Sequence, residues 1–276
     1  MSSVDTSIVV PPLRATGRVT QLRVARSEWT KLFSLRSTRW SLLAATLITI
    51  GFPLIFASVV ESRWGRMNPR EQADRQPLDI ALVGVNISQL AIGVLGVLII
   101  TAEYSTGMIR ATLSAVPKRL PVLWAKIAVY ALVTLTLAVP SVLVAFFGSQ
   151  AILNGKHILQ IGLGNPGVTR SVLGAAGFLV LIGAFAMALG AIVRSTAGGI
   201  ATFALVLFVI PPLMNVLPST WNHAISKYLP DSAGRAMFAL THGVNELSPL
   251  GGFAIFAAYT AFLVGVAAVL LVRRDS

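Results

Sequence analysis

Six long apolar runs, separated by short polar stretches, dominate the pattern along the chain. They cover about 41–60, 80–102, 122–152, 171–193, 195–217 and 250–272. Each is near or above the ~20 residues that a helix needs to cross a hydrocarbon core of about 30 Å. None alternates with the period of two that a half-buried strand requires. The pattern therefore predicts an all-α membrane protein with six transmembrane helices, a transmembrane domain of residues 40–272 and a short tail at 273–276. The first run carries Pro53, and the second holds Asn86, Ser88 and Gln89 in its interior. The third is long enough to tilt, and Lys126 lies within a turn of its start, where a lysine can snorkel to the interface. The fourth and fifth runs meet at Arg194-Ser195 and must form a tight antiparallel hairpin, with Gly183, Gly190, Gly198 and Gly199 permitting close approach. The stretch 218–249 is moderately apolar but broken by Pro230 and Gly234, which predicts short re-entrant helices in the outer leaflet between helices five and six.

A different periodicity precedes the first run. Over 18–39, Leu22, Ala25, Trp29, Leu32 and Phe33 recur at helical spacing, while Arg23, Arg26, Lys31 and Arg36 fall mostly on other faces. This is the pattern of an interfacial amphipathic helix, with Trp29 at the headgroup level and the basic groups toward phosphates. Two roles are open to it: a topology anchor, or a helix that also touches a cytoplasmic partner through Glu28, Trp29 and Lys31. Residues 1–17 are expected to form a disordered cytoplasmic tail. Met1 to Pro12 lacks the basic start and the apolar run of a secretory signal.

Composition supports the membrane reading, since 55% of the 276 residues are apolar and 12% charged, against about 25% charged in an average soluble domain. A formal charge of +12 would suggest nucleic acid in a soluble protein, and here its distribution argues otherwise. With the N-terminus inside, 14 of the 22 Lys and Arg fall on the inner side and 8 outside, while the acids divide 4 to 6. The positive-inside rule then places both termini in the cytoplasm and accounts for the charge without nucleic acid. There is no cysteine, which excludes disulfides and thiolate chemistry.

The segment after the second run carries the most informative motif. It reads Glu103-Tyr104-Ser105-Thr106-Gly107-Met108-Ile109-Arg110, then Pro117-Lys118-Arg119 before the third run and Lys126 just inside it. In this order and spacing Glu103, Gly107, Arg110, Pro117, Arg119 and Lys126 resemble the permease subunits of ABC-2 type ATP-binding-cassette transporters. Met108 stands where that class commonly has threonine. The resemblance extends over nearly the whole chain: an amphipathic N-terminal helix, six spans, cytoplasmic termini and short outer helices before the last span. It implies export of an amphipathic, drug-like or lipid-like substrate across a bacterial cytoplasmic (inner) membrane. It further implies a dimer with a second copy or a close relative, and a separate cytoplasmic ATPase subunit bearing ATP and Mg. Glu103, Tyr104, Gly107, Arg110, Pro117 and Arg119, with Glu28, Trp29 and Lys31, would couple the two. The plainer alternative for such a basic loop is that it enforces orientation alone.

The remaining candidates are polar groups at membrane depth. Asn86, Ser88, Gln89 and Asn215 can serve interhelical or dimer hydrogen bonds, or line a substrate path. No GxxxxGK[ST] phosphate loop is present, so this chain has no ATPase motif and is not expected to be an enzyme. His157, His223 and His242 all fall in predicted outer segments and suggest no metal site, and no cofactor is expected on the chain itself. An ion-coupled secondary carrier or a non-transporting accessory or sensor subunit remain alternatives. The carrier would need intramembrane ionisable groups that the runs do not show.

Overall fold

A computed structural model describes residues 21–105, 119–155, 158–216, 218–241, 243 and 246–274. Among these residues there is no strand, and six helices are long and apolar enough to cross a membrane. The described residues, outside which the expected tail 1–17 lies, begin with α1 (Gln21–Ser34), and Leu35 in extended conformation turns it into α2 (Arg36–Arg63). Residues 36–39 thus belong to the first long helix and not to the amphipathic one. A 3₁₀ turn (Trp64–Arg66) and the short α3 (Pro69–Ala73) follow, the latter closed by a reciprocal capping box between Asn68 and Glu71. Then come α4 (Pro77–Ser105), α5 (Arg119–Asn154) and α6 (Val168–Val193). The next long helix is composite: α7 (Thr196–Ala204), a π-helical turn (Leu205–Val209) and α8 (Ile210–Met214). Short helices α9 (Ser219–Ile225) and α10 (Pro230–Ala236) precede α11 (Pro249–Arg274).

The α6 helix is the hub. Its most apolar window is 72% buried inside the protein, against 17% for the α7–α8 helix. Its small residues let neighbours close in on several sides. A Cβ on Gly96 of α4 would lie 2.6 Å from the Gly183 carbonyl, and one on Gly183 would lie 2.4 Å from the Tyr130 ring of α5. The buried Tyr130 hydroxyl donates to the Ile92 carbonyl of α4 at 2.6 Å, so three helices meet at one point. Gly183 therefore serves the contacts of α6 with α4 and α5, and not the hairpin that the sequence suggested for it. The hairpin itself is as tight as expected. Arg194 ends α6 at a left-handed φ of 58°, Ser195 caps α7 by accepting from the Gly198 N–H, and Gly190 and Gly199 face each other beside Val97.

Prolines shape two of the long helices. Pro53 has no N–H for the Thr49 carbonyl four residues back, and that carbonyl instead faces Gly84 of α4, where a Cβ would be 2.5 Å away. Pro211 and Pro212 likewise deny donors to the turn before them. The ladder there widens, with Ile210 donating to Leu205 five residues back. At the far end of the bundle, α10 seals onto α6 and α11. Gly234 lies against Phe178, Gly252 against the Ala233 carbonyl, and Gly174 against the Met237 carbonyl. Asp231 of α10 is buried and paired with Arg235 at 3.0 Å.

Candidate functional site

The other end of the bundle gathers charge. The α1 helix has three sectors. Val24, Glu28 and Leu32, spaced four apart, are buried against the bundle. Leu22, Trp29 and Phe33 form an apolar stripe exposed to the surroundings, with the Trp29 and Phe33 rings 4.9 Å apart. Arg23, Arg26 and Thr30 occupy the remaining exposed side. The stripe that sequence periodicity assigned to the interface is thus mostly free of the protein, and a second stripe with a carboxylate at its middle holds α1 in place.

That carboxylate belongs to a closed ring of four alternating charges. Glu28 accepts from Lys31 at 2.7 Å and from Lys126 of α5, and Glu103 of α4 accepts from Lys126 at 2.8 Å and from Lys31 at 3.1 Å. Two acids and two bases leave the ring neutral. Glu28, Glu103 and Lys126 are each no more than 5% exposed, whereas Lys31 closes the ring on its open side. Lys126 does not snorkel outward: its ammonium is held inside by two carboxylates, because an unpaired charge at that depth is costly. Burial alone would lower the pKa of Lys31, but its bond to Glu28 and the charges of Glu103 and Glu28 outweigh this and raise it above the ordinary 10.5. A cavity of about 210 Å³ borders the ring, with Leu32, Leu35, Ile99, Ala102 and Val129 as its apolar walls.

Tyr104 follows Glu103 and takes part in a neighbouring contact. The Arg194 guanidinium lies over its ring at 5.1 Å and donates to the Leu270 carbonyl of α11 at 3.3 Å. Thr196 and Thr101 bond through their hydroxyls at 2.9 Å. The ends of α4, α6 and α11 and the starts of α5 and α7 are therefore tied together beside α1. Gly107, Arg110 and Pro117 lie outside the described residues, and Arg119 opens α5. Segment 106–118 begins three residues after Glu103 and ends eight residues before Lys126, so a ring member stands close to each end of it.

The polar groups of α4 are elsewhere. Ser88 and Gln89 are fully buried, and they donate to the Val85 and Asn86 carbonyls of their own helix at 3.3 and 2.9 Å. The side-chain carbonyl oxygens of Asn86 and Gln89 are buried without a partner among the described residues. Asn215, at the end of α8, is exposed and accepts from Asn222 at 3.4 Å. The sequence points to Glu28, Lys31 and Glu103 as site residues but puts Lys126, which joins the two carboxylates, at the membrane surface. The signal that could have found it was the pair of acids facing apolar runs, since each needs a base at the same depth. Comparison of the chain with protein-family models and with curated proteins gives no match in either set.

Proposed function

We propose that this chain is the membrane-spanning subunit of an ATP-driven exporter of the ABC-2 permease kind, carrying an amphipathic substrate across a bacterial cytoplasmic membrane with both termini inside. The observation that supports this best is the placement of the charge ring at both ends of segment 106–118 and on α1. A push on that segment by a cytoplasmic partner would reach α4, α5 and α1 together, because a buried, hydrogen-bonded ion cluster resists being pulled apart. In this reading a separate ATPase subunit carrying ATP and Mg docks on segment 106–118, with Gly107, Arg110, Pro117 and Arg119 as its contacts and Trp29 at the edge. Glu28, Lys31 and Glu103 transmit the movement from within.

Two copies of the chain, or one copy and a close relative, enclose the path. The short helices α9 and α10 dip into the outer leaflet as a cap over that path. Affinity isolation of the tagged chain from its native membrane tests the proposal. We expect an ATP-hydrolysing subunit to copurify and Arg110→Ala to release it without loss of the folded chain. A chain that isolates alone and conducts its substrate without nucleotide contradicts the reading.

A further inference from the structure

The exposed side of α1 and the first turn of α2 carry four arginines, Arg23, Arg26, Arg36 and Arg39, and among the described residues none of them makes an ion pair. The acid nearest in sequence, Glu28, is turned inward and consumed by the ring. Two apolar features fix the level of these arginines. On α1 the exposed Leu22, Trp29 and Phe33 form one stripe, with Arg26 at its border by helical angle. On α2, Trp40, Leu43 and Leu47 are exposed at spacings of three and four and form an outward face, and Arg36 stands one turn before Trp40 on the same face. An exposed tryptophan at the start of an apolar helix marks the headgroup boundary. A residue one turn earlier then stands at the level of the lipid phosphates, ~6 Å further along the helix axis.

We propose that this corner binds anionic phospholipid selectively, with the phosphates and acidic headgroups on Arg23, Arg26, Arg36 and Arg39 and the acyl region against Trp29, Phe33 and Trp40. Charge complementarity names the occupant. Guanidinium groups take phosphate oxygens in pairs and are weakly hydrated, and four of them beside an apolar stripe match a lipid that bears both kinds of surface. The lipid site is built from α1 and α2 alone, shares only Trp29 with the docking proposed on segment 106–118, and does not depend on that docking. Bound lipid would hold α1 at the membrane surface from outside while the charge ring holds it from inside.

Native mass spectrometry and thermal unfolding of the purified chain in nanodiscs test this, with phosphatidylglycerol compared against phosphatidylcholine. The wild type is expected to retain phosphatidylglycerol after detergent release and to unfold several degrees higher in it. A variant with all four arginines changed to glutamine should lose both effects while keeping its unfolding temperature in phosphatidylcholine. Raising salt should weaken the preference in the wild type alone. Equal behaviour in the two lipids, or a preference that survives the four substitutions, overturns the proposal. So does reproduction of the stabilisation by inorganic phosphate, because that would make the corner a site for a free anion. Loss of a copurifying protein in the variant, with the lipid preference intact, would assign the corner to a protein partner and overturn it equally.

Discussion

At the residue scale, Lys126 decides whether the charge ring stabilises or strains the bundle. It contacts both carboxylates and is buried with them. Removing one partner of a buried pair leaves an uncompensated charge, at a cost of roughly 3–5 kcal/mol. Lys126→Met should therefore lower the unfolding temperature in detergent sharply. Adding Glu103→Gln should recover part of the loss, because Lys31 then faces one carboxylate in place of two. Additive losses in this double-mutant cycle would mean that the two side chains do not interact. Lys31 adds a dependence on pH. Its folded pKa is raised above 10.5, so its contribution is fully present below that value and is lost as pH climbs through the higher folded value. A pH series of unfolding temperatures should show no loss from Lys31 between pH 7 and 10. It should show one above, which Lys31→Met removes.

At the element scale, glycine faces set how closely α4, α5 and α6 pack. A methyl group on Gly96 has no room against the Gly183 carbonyl, and backbone cannot rotate aside as a side chain can. Gly96→Ala is expected to cost about 1–3 kcal/mol through forced separation of α4 and α6. Gly265→Ala on α11, which meets nothing within 4 Å, should leave the unfolding temperature unchanged. The contrast between the two is measured in one thermal series. The long helices were legible in the sequence because each apolar run is a local signal, and their bounds fall within a few residues of those predicted, except that the first begins at Arg36. The buried stripe of α1 was not legible. Glu28 sits between Val24 and Leu32 and breaks the apolar period, so the local pattern favoured the stripe of Trp29 and Phe33. Local spacing groups Gly183 with Gly190 and Gly199 in the hairpin, whereas its true neighbours Gly96 and Tyr130 are distant in the chain.

At the scale of the whole molecule, the ring joins Glu28 to Lys126 across 98 residues, a contact no local pattern announces. It ties α1, the end of α4 and the start of α5 into one body. The sequence resemblance supplied a reason for such a body to exist, namely force delivered by a nucleotide-driven partner, and named Glu103 as part of it. The geometry adds how the force would travel. A further consequence is that the ring and the partner contacts are separable. Arg110→Ala should release the proposed ATPase with an unchanged unfolding temperature, whereas Lys126→Met should lower stability while leaving the proposed contact residues intact.

In the proposed exporter this body moves as a unit when nucleotide binds the partner subunit. The chain has no cysteine, so spin labels can be placed on Thr30→Cys of α1 and Leu120→Cys of α5, both exposed positions. Distances are then measured by pulsed electron resonance in the isolated complex, with and without trapped ATP. We expect the Thr30–Leu120 distance within one chain to stay fixed while the Thr30–Thr30 distance between the copies of the proposed dimer changes. A shift between Thr30 and Leu120 as large as that between copies, or no nucleotide-dependent change at all, would contradict it.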